Sequence, residues 1–432
     1  MREHSFYNVG HGDSITIKDG DSLVVRDCGR YPKKSQFYED SLDLALDDIR
    51  HFEKKKYAVI SHAHNDHFSG FLELYNQNLY QFFEETFIPP LVLLNGGLFS
   101  SASPKRLSQE TISSLRSKVN LYLKAYASLK RRSSTKRLIS NWFFLLPVMN
   151  FLSKKVTMVS CGDQILNQSA TVLWPPLPIS VNDGKNLAND GDFYIKLALE
   201  KSNLETEFNL RDLDLSPEEH SFFDGRSERI TSIYSQIIEE YSEDNHIEER
   251  SENGQLIEER KRAFVQEIEN ILEEIDRVNI NILPYHIKQS LCSAIRNDDD
   301  NMSLIFQYND ASAIYLSDID ENYIPYLINV MRLNGFILPE YMLLKSSHHG
   351  TRYESALASI KYNLVVHTCG VGISRGRRAH KGPNRNYCIG KQNTFCLDWD
   401  YTAMQLNPAK WEPFVLNNST VCSSLKKIFF NI

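Results

Sequence analysis

The sequence predicts a mixed α/β (α+β) fold in which short buried strands alternate with amphipathic helices. Apolar runs rich in β-type residues, such as those at 57–61 and 341–347, end on clusters of polar residues. Asp40–Phe52 instead repeats its apolar residues at helical spacing among acidic residues. A hydrophobic share of 42% supplies enough material for a core of this kind.

The 432 residues are enough for two or three average domains, or for one domain enlarged by insertions. The formal net charge of -7 argues against a protein that coats nucleic acid along its whole surface, although local basic patches can still bind it. Global charge therefore excludes few functions.

Seven cysteines are scattered along the chain without a CxxC pair, which indicates a reducing cytoplasm and argues against a cysteine-based zinc site. The start of the chain lacks the apolar core of a signal peptide, and no stretch approaches the roughly 20 apolar residues of a membrane span. We therefore expect a soluble cytoplasmic protein with no membrane partner.

The elements are predicted in order along the chain from hydrophobic periodicity and turn residues. Strands are expected at 4–9, 14–18, 22–26, 57–61, 91–95, 156–159, 170–174, 302–308, 312–316, 341–347 and 364–368, and helices at 40–52, 103–146, 216–276 and 323–333. The predicted organisation is a core whose first half is 1–179, with a basic helical insertion at about 103–146, then a charged helical insertion at 180–296 and the second half of the core at 297–432.

The charged insertion contains apolar residues three and four positions apart, which predicts long amphipathic helices that pack on each other, on the core or on a second protomer. We expect it to contact a protein partner, to mediate self-association or to act as a lid; a solvated spacer is the alternative. The basic segment 103–146 is either a solvated helical face or a surface for substrate or a partner.

Three histidines and an aspartate lie within six positions directly after the strand at 57–61. They are His62, His64, Asp66 and His67. Residues two apart on a strand point the same way, so the first two imidazoles can face one ion while the other two residues approach from the next turn. Imidazole and carboxylate together suit zinc, manganese or iron, so this cluster predicts a metal site.

A second polar cluster follows later strands: Asp318 ends one of them, and His348 and His349 end the next. These residues complete a ligand set with the first cluster, in which one or both of the two histidines take part. Asp318 can bridge two ions because a carboxylate has two oxygens. A metal ion would lower the pKa of its water towards about 7, so hydrolysis is the predicted chemistry.

The resemblance to a known family rests on several blocks in a fixed order. They are Asn8-Val9-Gly10-His11-Gly12-Asp13-Ser14, Asp27-Cys28-Gly29, the HxHxDH box at 62–67, Val172–Pro176, Asn301–Leu304, Leu316–Asp318 and His348-His349-Gly350. In this order they resemble the metallo-β-lactamase-like domain of the competence protein ComEC and its soluble relatives. The resemblance implies a four-layer αββα sandwich, metal-dependent hydrolysis and a phosphodiester or nucleic-acid substrate.

Carried over residue by residue, the resemblance implies that the metal ligands are His62, His64, Asp66, His67, Asp318 and one of His348 and His349, of which His348 is assigned here. Asp66 and His349 are the implied catalytic residues, the former by orienting or deprotonating the water. Asp27 resembles the family's structural acid beside the site; a turn residue is the alternative. The expected cofactor is Zn²⁺ or Mn²⁺, as one or two ions.

The chain departs from the general pattern of the superfamily at the middle ligand histidine. Between the HxHxDH box and Asp318 only His220, His246 and His286 occur, the first two in charged helical sequence. ComEC-like domains often lack this histidine too. His11 stands where relatives commonly carry glutamine, and is assigned to substrate binding or to a replacement ligand, with a hydrogen-bonded turn histidine as the alternative.

A glycine- and arginine-rich segment follows the strand at 364–368. Its candidates for binding substrate phosphate are Arg377, Arg378, His380 and Lys381. Cationic side chains there would neutralise phosphate oxygens and the charge that develops in phosphoryl transfer. A flexible soluble loop has the same composition.

The leading interpretation is a phosphodiesterase or nuclease that acts on nucleic acid or nucleotides through a metal-activated water. An ester or lactone hydrolase is a second hydrolytic interpretation, because metal chemistry does not choose between phosphorus and carbon. A third is an interaction component of a multiprotein complex, in one form an anti-phage defence complex, with a structural or regulatory metal site.

Overall fold

The computed structural model describes residues 2–10, 12–31, 36–91, 109–129, 133–175, 215–240, 254–278, 293, 295–296, 300–368, 393–397, 420–423 and 427–432. The chain forms two compact units: the first comprises Met1–Pro89, Leu152–Pro176 and Asp299–Ile432, and the second comprises Pro90–Phe151 and Leu177–Asp298. The sequence prediction treated the two helical insertions separately, whereas the described helices of both belong to the second unit.

The first unit contains two mixed sheets. The strands, in chain order, are β1 Arg2–Tyr7, β2 Ser14–Asp19, β3 Ser22–Cys28, β4 Lys55–Val59, β5 Glu85–Ile88, β6 Val156–Met158, β7 Gln164–Ile165, β8 Ala170–Trp174, β9 Ile305–Tyr308, β10 Ala313–Tyr315, β11 Tyr341–Lys345, β12 Tyr362–His367, β13 Asn393–Leu397, β14 Thr420–Ser423 and β15 Lys427–Asn431. The predicted strands within the described residues are confirmed, and most of the strand predicted at 91–95 lies outside them.

Among the described residues, the first sheet has the order β15-β1-β2-β3-β4-β5-β6, and the second has the order β14-β13-β12-β11-β10-β9-β8-β7. Strands β3 to β6 are parallel, as are β10 to β14, while the remaining pairs are antiparallel. A tight turn at Gly20, with φ +57°, joins β2 to β3 as the Asp-Gly signal predicts.

Three helices of the first unit accompany these sheets: α1 Gln36–His51, α2 Asn65–Asn76 and α7 Ile324–Leu333. Helix α1 packs on β1, β2 and β3, helix α2 packs on β3, and α7 contacts β8. Each helix turns apolar residues inward; Leu42, Ala45, Leu46 and Ile49 of α1, for example, are all buried. The helices predicted at 40–52 and 323–333 are thereby confirmed.

One hydrophobic cluster takes side chains from both sheets. Phe6, Ile15 and Ile17 contribute from the first sheet, and Phe306 and Tyr315 from the second, each 0% exposed. Burial of apolar area on this scale stabilises the unit by roughly 25 cal/mol per Å², so the cluster fixes the two sheets as parts of one core. The structure confirms the predicted α+β class with two mixed sheets.

The described helices of the second unit are α3 Gln109–Ser128, α4 Ser134–Leu152, α5 Pro217–Glu240 and α6 Gly254–Arg277. Helix α3 packs against α5 and α6, and the inward face of α6 carries the predicted periodic residues Ile257, Phe264, Val265, Ile268 and Ile271. The prediction of long amphipathic helices that pack on each other is therefore confirmed. Within the described part of the chain, no helix combines the length and apolar character that crossing a bilayer requires.

Candidate metal centre

The histidine cluster lies where a buried strand passes into a helix. Strand β4 ends at Val59, and α2 begins at Asn65 with His64 as its N-cap residue in an extended conformation, at φ -61° and ψ 147°. His62 and His64 therefore lie on the connecting loop, whereas Asp66 and His67 lie in the first helical turn. Four candidate donors reach one place because the chain changes from strand to helix geometry between them.

Glycine allows a neighbouring turn to approach this loop closely. A Cβ atom at Gly29 would come within 2.3 Å of the carbonyl carbon of Asp66, so no other residue fits there without displacement. Asp13 N–H also donates to the carbonyl oxygen of Asp66 at 2.9 Å. The turns around β2 and β3 thereby hold the start of α2 in place.

The second sheet supplies the remaining candidates from the carboxyl ends of adjacent parallel strands. Strand β10 pairs in parallel with β11, and β11 with β12, so their carboxyl ends lie at the same edge of the sheet. Asp318 follows β10 by three residues, and His348 and His349 follow β11 by three and four. The parallel order thus brings Asp318, His348 and His349 to one edge of the second sheet.

The turn that carries the two histidines has an uncommon backbone. His348 and His349 have φ of 44° and 56°, and Gly350 follows with φ 92°. The left-handed region disfavours residues with a Cβ, so two consecutive histidines there are held by their surroundings. Such strain concentrates at functional sites. Here both histidine rings lie next to the Asp318 carboxylate.

One group of donors surrounds the loop histidines. His64 Nδ1 lies 3.3 Å from Asp300 Oδ1, and His62 Nε2 lies 3.8 Å from the same oxygen and 4.0 Å from Asp318 Oδ2. The four ligand atoms of His62, His64, Asp300 and Asp318 all lie within 4.8 Å of one another. Ligands about 2.1 Å from a common ion are separated by about 3 to 4 Å, so this group has the dimensions of a metal site.

A second group lies on the other side of Asp318. Asp318 Oδ2 is 3.3 Å from His67 Nε2 and 3.4 Å from His349 Nε2. Asp66 Oδ2 is 3.6 Å from His349 Nε2. His67, Asp318 and His349 are almost fully buried, whereas Asp66 keeps 21% of its side chain exposed. This group can hold a second ion next to the first, with Asp318 between them.

His348 lies between the two carboxylates of the first group. Its Nδ1 is 3.7 Å from Asp318 Oδ2 and 3.8 Å from Asp300 Oδ2, and 24% of its side chain is exposed. It is therefore placed at the accessible edge of the cluster, while the 0%-exposed His349 lies inside it. The sequence prediction assigned the ligand role to the former and a catalytic role to the latter; the structure brings both rings to Asp318.

Two other carboxylates face the opposite nitrogens of the inner rings. Asp27 Oδ2 is 2.9 Å from His67 Nδ1, and Asp13 Oδ1 is 3.3 Å from His349 Nδ1. Metal-binding histidines usually donate their second N–H to a carboxylate, which fixes the tautomer and the orientation of the ring. Asp27 and Asp13 are thus placed to orient the rings of His67 and His349 respectively.

Asp13 itself forms ion pairs with two cationic side chains and accepts a hydrogen bond from a hydroxyl. Arg26 lies 2.7 Å and Lys345 Nζ 2.5 Å from its Oδ2, and the Thr368 hydroxyl donates to Oδ1 at 2.5 Å. Asp13 can be grouped with His67, Asp318 and His349 on distance. Its oxygens, however, face the Nδ1 atoms and bind two cations, so it orients the imidazoles and does not compete for an ion.

The protonation states fit a metal centre. Burial lowers the pKa of His62 well below its usual range and the pKa of His348 to about 4, which leaves both rings neutral with free lone pairs at neutral pH. Burial alone would raise the pKa of Asp318, but the neighbouring His349, His348 and His67 hold it well below its usual range. The carboxylate is therefore ionised.

The pKa of His67 shifts in the opposite direction, upward. Burial disfavours its charged form, but Asp318 and Asp27 outweigh burial and raise its pKa to about 10. Burial likewise opposes the charged form of His349, and Asp318 and Asp13 raise its pKa well above its usual range. A metal ion held by these two rings would replace the protons that otherwise balance the charge of Asp318.

Buried polar atoms test whether these residues fit a cation. His62 Nε2 and Asp318 Oδ1 are buried and make no hydrogen bond to any residue that the structure describes. A buried polar atom without a hydrogen bond costs about 1–3 kcal/mol, and metal coordination satisfies both atoms at once. The donor set, histidine nitrogen with carboxylate oxygen, suits Zn²⁺ or Mn²⁺. The residues therefore fit a metal ion.

The predicted metal and catalytic residues come together: His62, His64, Asp66, His67, Asp318, His348 and His349 all line this cluster. The predicted substrate-binding residues His11, Arg377, Arg378, His380 and Lys381 lie outside the described residues. His220 lies on α5 of the second unit, and His246 and His286 lie outside the described residues.

Sequence reasoning missed Asp300 and Arg352. Asp300 ends an acidic run, Asp298-Asp299-Asp300, which is typical of a solvated loop, yet it is 3% exposed beside the loop histidines. Arg352 NH2 lies 3.2 Å from Asp300 Oδ2, and its NH1 donates to the carbonyl oxygen of Asp318 at 2.9 Å. The one available signal was that Asp300 precedes a buried strand that leads to Asp318.

The chain matches no protein-family model, and no curated protein is significantly similar to it in sequence.

Proposed function

We propose that the chain is a metal-dependent hydrolase of the metallo-β-lactamase fold that cleaves phosphodiesters in nucleic acid or nucleotides, with Zn²⁺ or Mn²⁺ as its cofactor. The observation that carries this proposal is the convergence of five imidazoles and two carboxylates around Asp318: His62, His64, His67, His348, His349, Asp66 and Asp300. Two adjacent groups that share one carboxylate suit a pair of ions.

The layers around the core support the proposed fold. Helices α1 and α2 pack on strands of the first sheet, α7 contacts β8 of the second, and one hydrophobic cluster includes both sheets. This arrangement is what a four-layer αββα sandwich requires. The position of both donor clusters at the carboxyl ends of strands is also consistent with that fold.

A pair of divalent ions bound here supplies Lewis acidity, a more acidic water and a clamp for the two oxygens that exchange at phosphorus. Asp66 has its pKa held below the usual range because His349, His67 and His64 outweigh burial, so it is an ionised acceptor that can orient a water proton. Its 21% exposure places it on the accessible side of the cluster.

Arg352 supports an anionic substrate. Its side chain is 21% exposed and is anchored by Asp300 and the Asp318 carbonyl, so a fixed positive charge lies at the edge of the candidate centre. A guanidinium in such a position binds phosphate oxygens and stabilises charge that develops on them. Arg377 and Arg378, which the sequence analysis assigns to phosphate binding, lie outside the described residues.

The test is hydrolysis by protein reconstituted with Mn²⁺ or Zn²⁺, measured on DNA, RNA, cyclic nucleotides and bis(p-nitrophenyl) phosphate, with p-nitrophenyl acetate as a carbon ester. We expect phosphodiester cleavage that falls at least 100-fold in His64→Ala and in Asp66→Ala. His51→Ala is the matched control, because His51 is an exposed histidine at the end of α1 whose Nδ1 contacts only a carbonyl of its own helix among the contacts described.

Two results would contradict the proposal. One is phosphodiesterase activity that persists in both ligand variants, which would point to a contaminating nuclease. The other is cleavage of the acetate ester without cleavage of any phosphodiester, which would favour the ester hydrolase.

A further inference from the structure

The two oxygens of Asp300 face different partners. Oδ1 faces the loop histidines, 3.3 Å from His64 Nδ1 and 3.8 Å from His62 Nε2. Oδ2 lies 3.2 Å from Arg352 NH2 and 3.8 Å from His348 Nδ1. One side of the carboxylate is therefore anchored by a guanidinium, and the other is directed at two imidazoles.

The carboxylate of Asp300 is buried, so its charge needs positive partners nearby. Asp300 is 3% exposed, and an ionised carboxylate is costly to bury unless cations surround it. Arg352 supplies one positive charge on the Oδ2 side. On the Oδ1 side stand the imidazoles of His62 and His64, at 3.8 and 3.3 Å.

A cation between Asp300 Oδ1 and the two imidazoles would have one ligand atom from each of the three residues. The ligand atoms of His62, His64, Asp300 and Asp318 lie within 4.8 Å of one another, which matches ligands around a common ion. His62 Nε2 makes no hydrogen bond to any described residue. This is what we expect of a nitrogen that binds an ion.

We propose that Asp300 is a metal ligand, and that it completes a group of two imidazoles and two carboxylates around the first ion. The second ion then has a group of the same composition, from His67, His349, Asp66 and the shared Asp318. This inference deepens the proposed function, since it specifies the cofactor site of the same centre, but it concerns metal binding and does not depend on the substrate.

The composition of the first group has a chemical consequence. Carboxylate oxygen is a harder donor than imidazole nitrogen and suits Mn²⁺ relatively better, whereas an additional imidazole favours Zn²⁺. An aspartate at this position therefore narrows the difference between the affinities for Zn²⁺ and Mn²⁺. Exchanging it for histidine should widen that difference.

The experiment measures bound metal and affinity on the full chain by elemental analysis after dialysis and by calorimetric titration with Mn²⁺ and with Zn²⁺. We expect two ions per chain in the unaltered protein. In Asp300→Asn, the affinity of one ion should fall at least tenfold while the other is retained. In Asp300→His, two ions should bind, and the ratio of Zn²⁺ to Mn²⁺ affinity should rise at least tenfold.

Asp320→Asn is the matched control. Asp320 Oδ2 lies 3.6 Å from Arg352 NH1, so this acid shares the guanidinium with Asp300 but belongs to neither donor group. We expect two ions at unaltered affinity in this variant. An equal loss of affinity in both asparagine variants would overturn the proposal, because the effect would then come from releasing Arg352.

Two ions bound at unaltered affinity in Asp300→Asn would also overturn it. Asp300→Glu, which keeps the charge, replaces the asparagine variant if that one does not fold, and it should retain two ions with an altered affinity for one. Loss of one ion in Asp300→Asn together with no phosphodiesterase activity in the unaltered protein would support Asp300 as a ligand and contradict the proposed function.

Discussion

Asp27 Oδ2 lies 2.9 Å from His67 Nδ1, and the same carboxylate accepts hydrogen bonds at 2.7 Å from the backbone N–H and the hydroxyl of Ser61. The His67 ring, which faces Asp318, is thus held on its other side by an acid of strand β3. Ser61 immediately precedes His62, so one carboxylate connects both ends of the histidine cluster.

Asp27→Asn should lower metal affinity about 10- to 100-fold, the usual effect of removing a carboxylate behind a ligating histidine. Asparagine tolerates the left-handed backbone of this position, where φ is 52°, so the turn itself should persist. Titration with Zn²⁺ measures the affinity. Asp19→Asn on the same hairpin is the control, since Asp19 pairs with Arg2, and an equal loss there would contradict the orienting role.

Gly350→Ala should destabilise the protein more than Gly335→Ala. Both glycines have positive φ, 92° and 69°, so alanine costs about 1–2 kcal/mol at either position. At Gly350 a Cβ would also come within 2.5 Å of His367 Nδ1, whereas at Gly335 no described atom lies within 4 Å.

Chemical denaturation measures the difference between these two variants. Because the turn that carries His348 and His349 must shift, Gly350→Ala should also lose metal affinity while Gly335→Ala retains it. Equal free energies of unfolding and unaltered metal affinity in both would show that the turn does not depend on this close approach.

His4 should make stability depend on mildly acidic pH. It is fully buried in β1 beside the Tyr315 hydroxyl, and burial lowers its pKa from 6.5 to about 4. The unfolded chain therefore binds more protons between these two pH values, so stability is complete above about 6.5 and falls as the pH is lowered towards 4. The loss from this residue is about 3 kcal/mol at 1.36 kcal/mol per pKa unit.

His4→Gln should remove this part of the pH dependence, measured as the free energy of unfolding at pH 7 and pH 4.5. Other buried histidines titrate in the same window, so the informative quantity is the difference between variant and unaltered protein. His51→Gln, on the exposed end of α1, is the matched control for exchanging a histidine for glutamine. Identical pH profiles for all three proteins would contradict the prediction.

A buried pair in the helical unit should matter more than an exposed one. Lys136 Nζ lies 2.5 Å from Asp276 Oδ1 and 4.1 Å from the centre of the Tyr126 ring, with its side chain 7% exposed. Asp276→Asn should cost about 1.5–3 kcal/mol, because the lysine loses a charged hydrogen-bond partner.

Glu273→Gln is the comparison, since Glu273 pairs with Arg277 one helical turn away and both side chains are at least 67% exposed. An exposed pair of this type contributes about 0.3–0.5 kcal/mol. Urea unfolding of both variants measures the two effects. A cost for Glu273→Gln equal to that for Asp276→Asn would contradict the argument from burial.

The parts of the fold that were predictable have local causes. Asp19-Gly20 specifies a tight hairpin, the periodic residues of α6 specify its inward face, and residues 62–67 specify a strand-to-helix passage with ligands. Each of these depends on neighbours a few positions away, which the sequence displays directly.

The parts that were missed depend on contacts between distant segments. Asp300 interacts with His62 and His64, more than 230 positions away, and its acidic neighbours give it the composition of an exposed loop. Asp13 belongs to the Asn8–Ser14 block of the resemblance, but its contacts with Lys345, His349 and Thr368 exist only when both sheets are assembled. Periodicity carries no information about such pairs.

The order in which the chain emerges from the ribosome bears on when this centre can form. The first compact unit is assembled from three separated stretches, and the candidate ligands lie in the first, before Pro89, and the last, after Asp299. A nascent chain that ends before His348 presents only part of the ligand set. The candidate ligand set is therefore complete only after the whole helical unit has been synthesised.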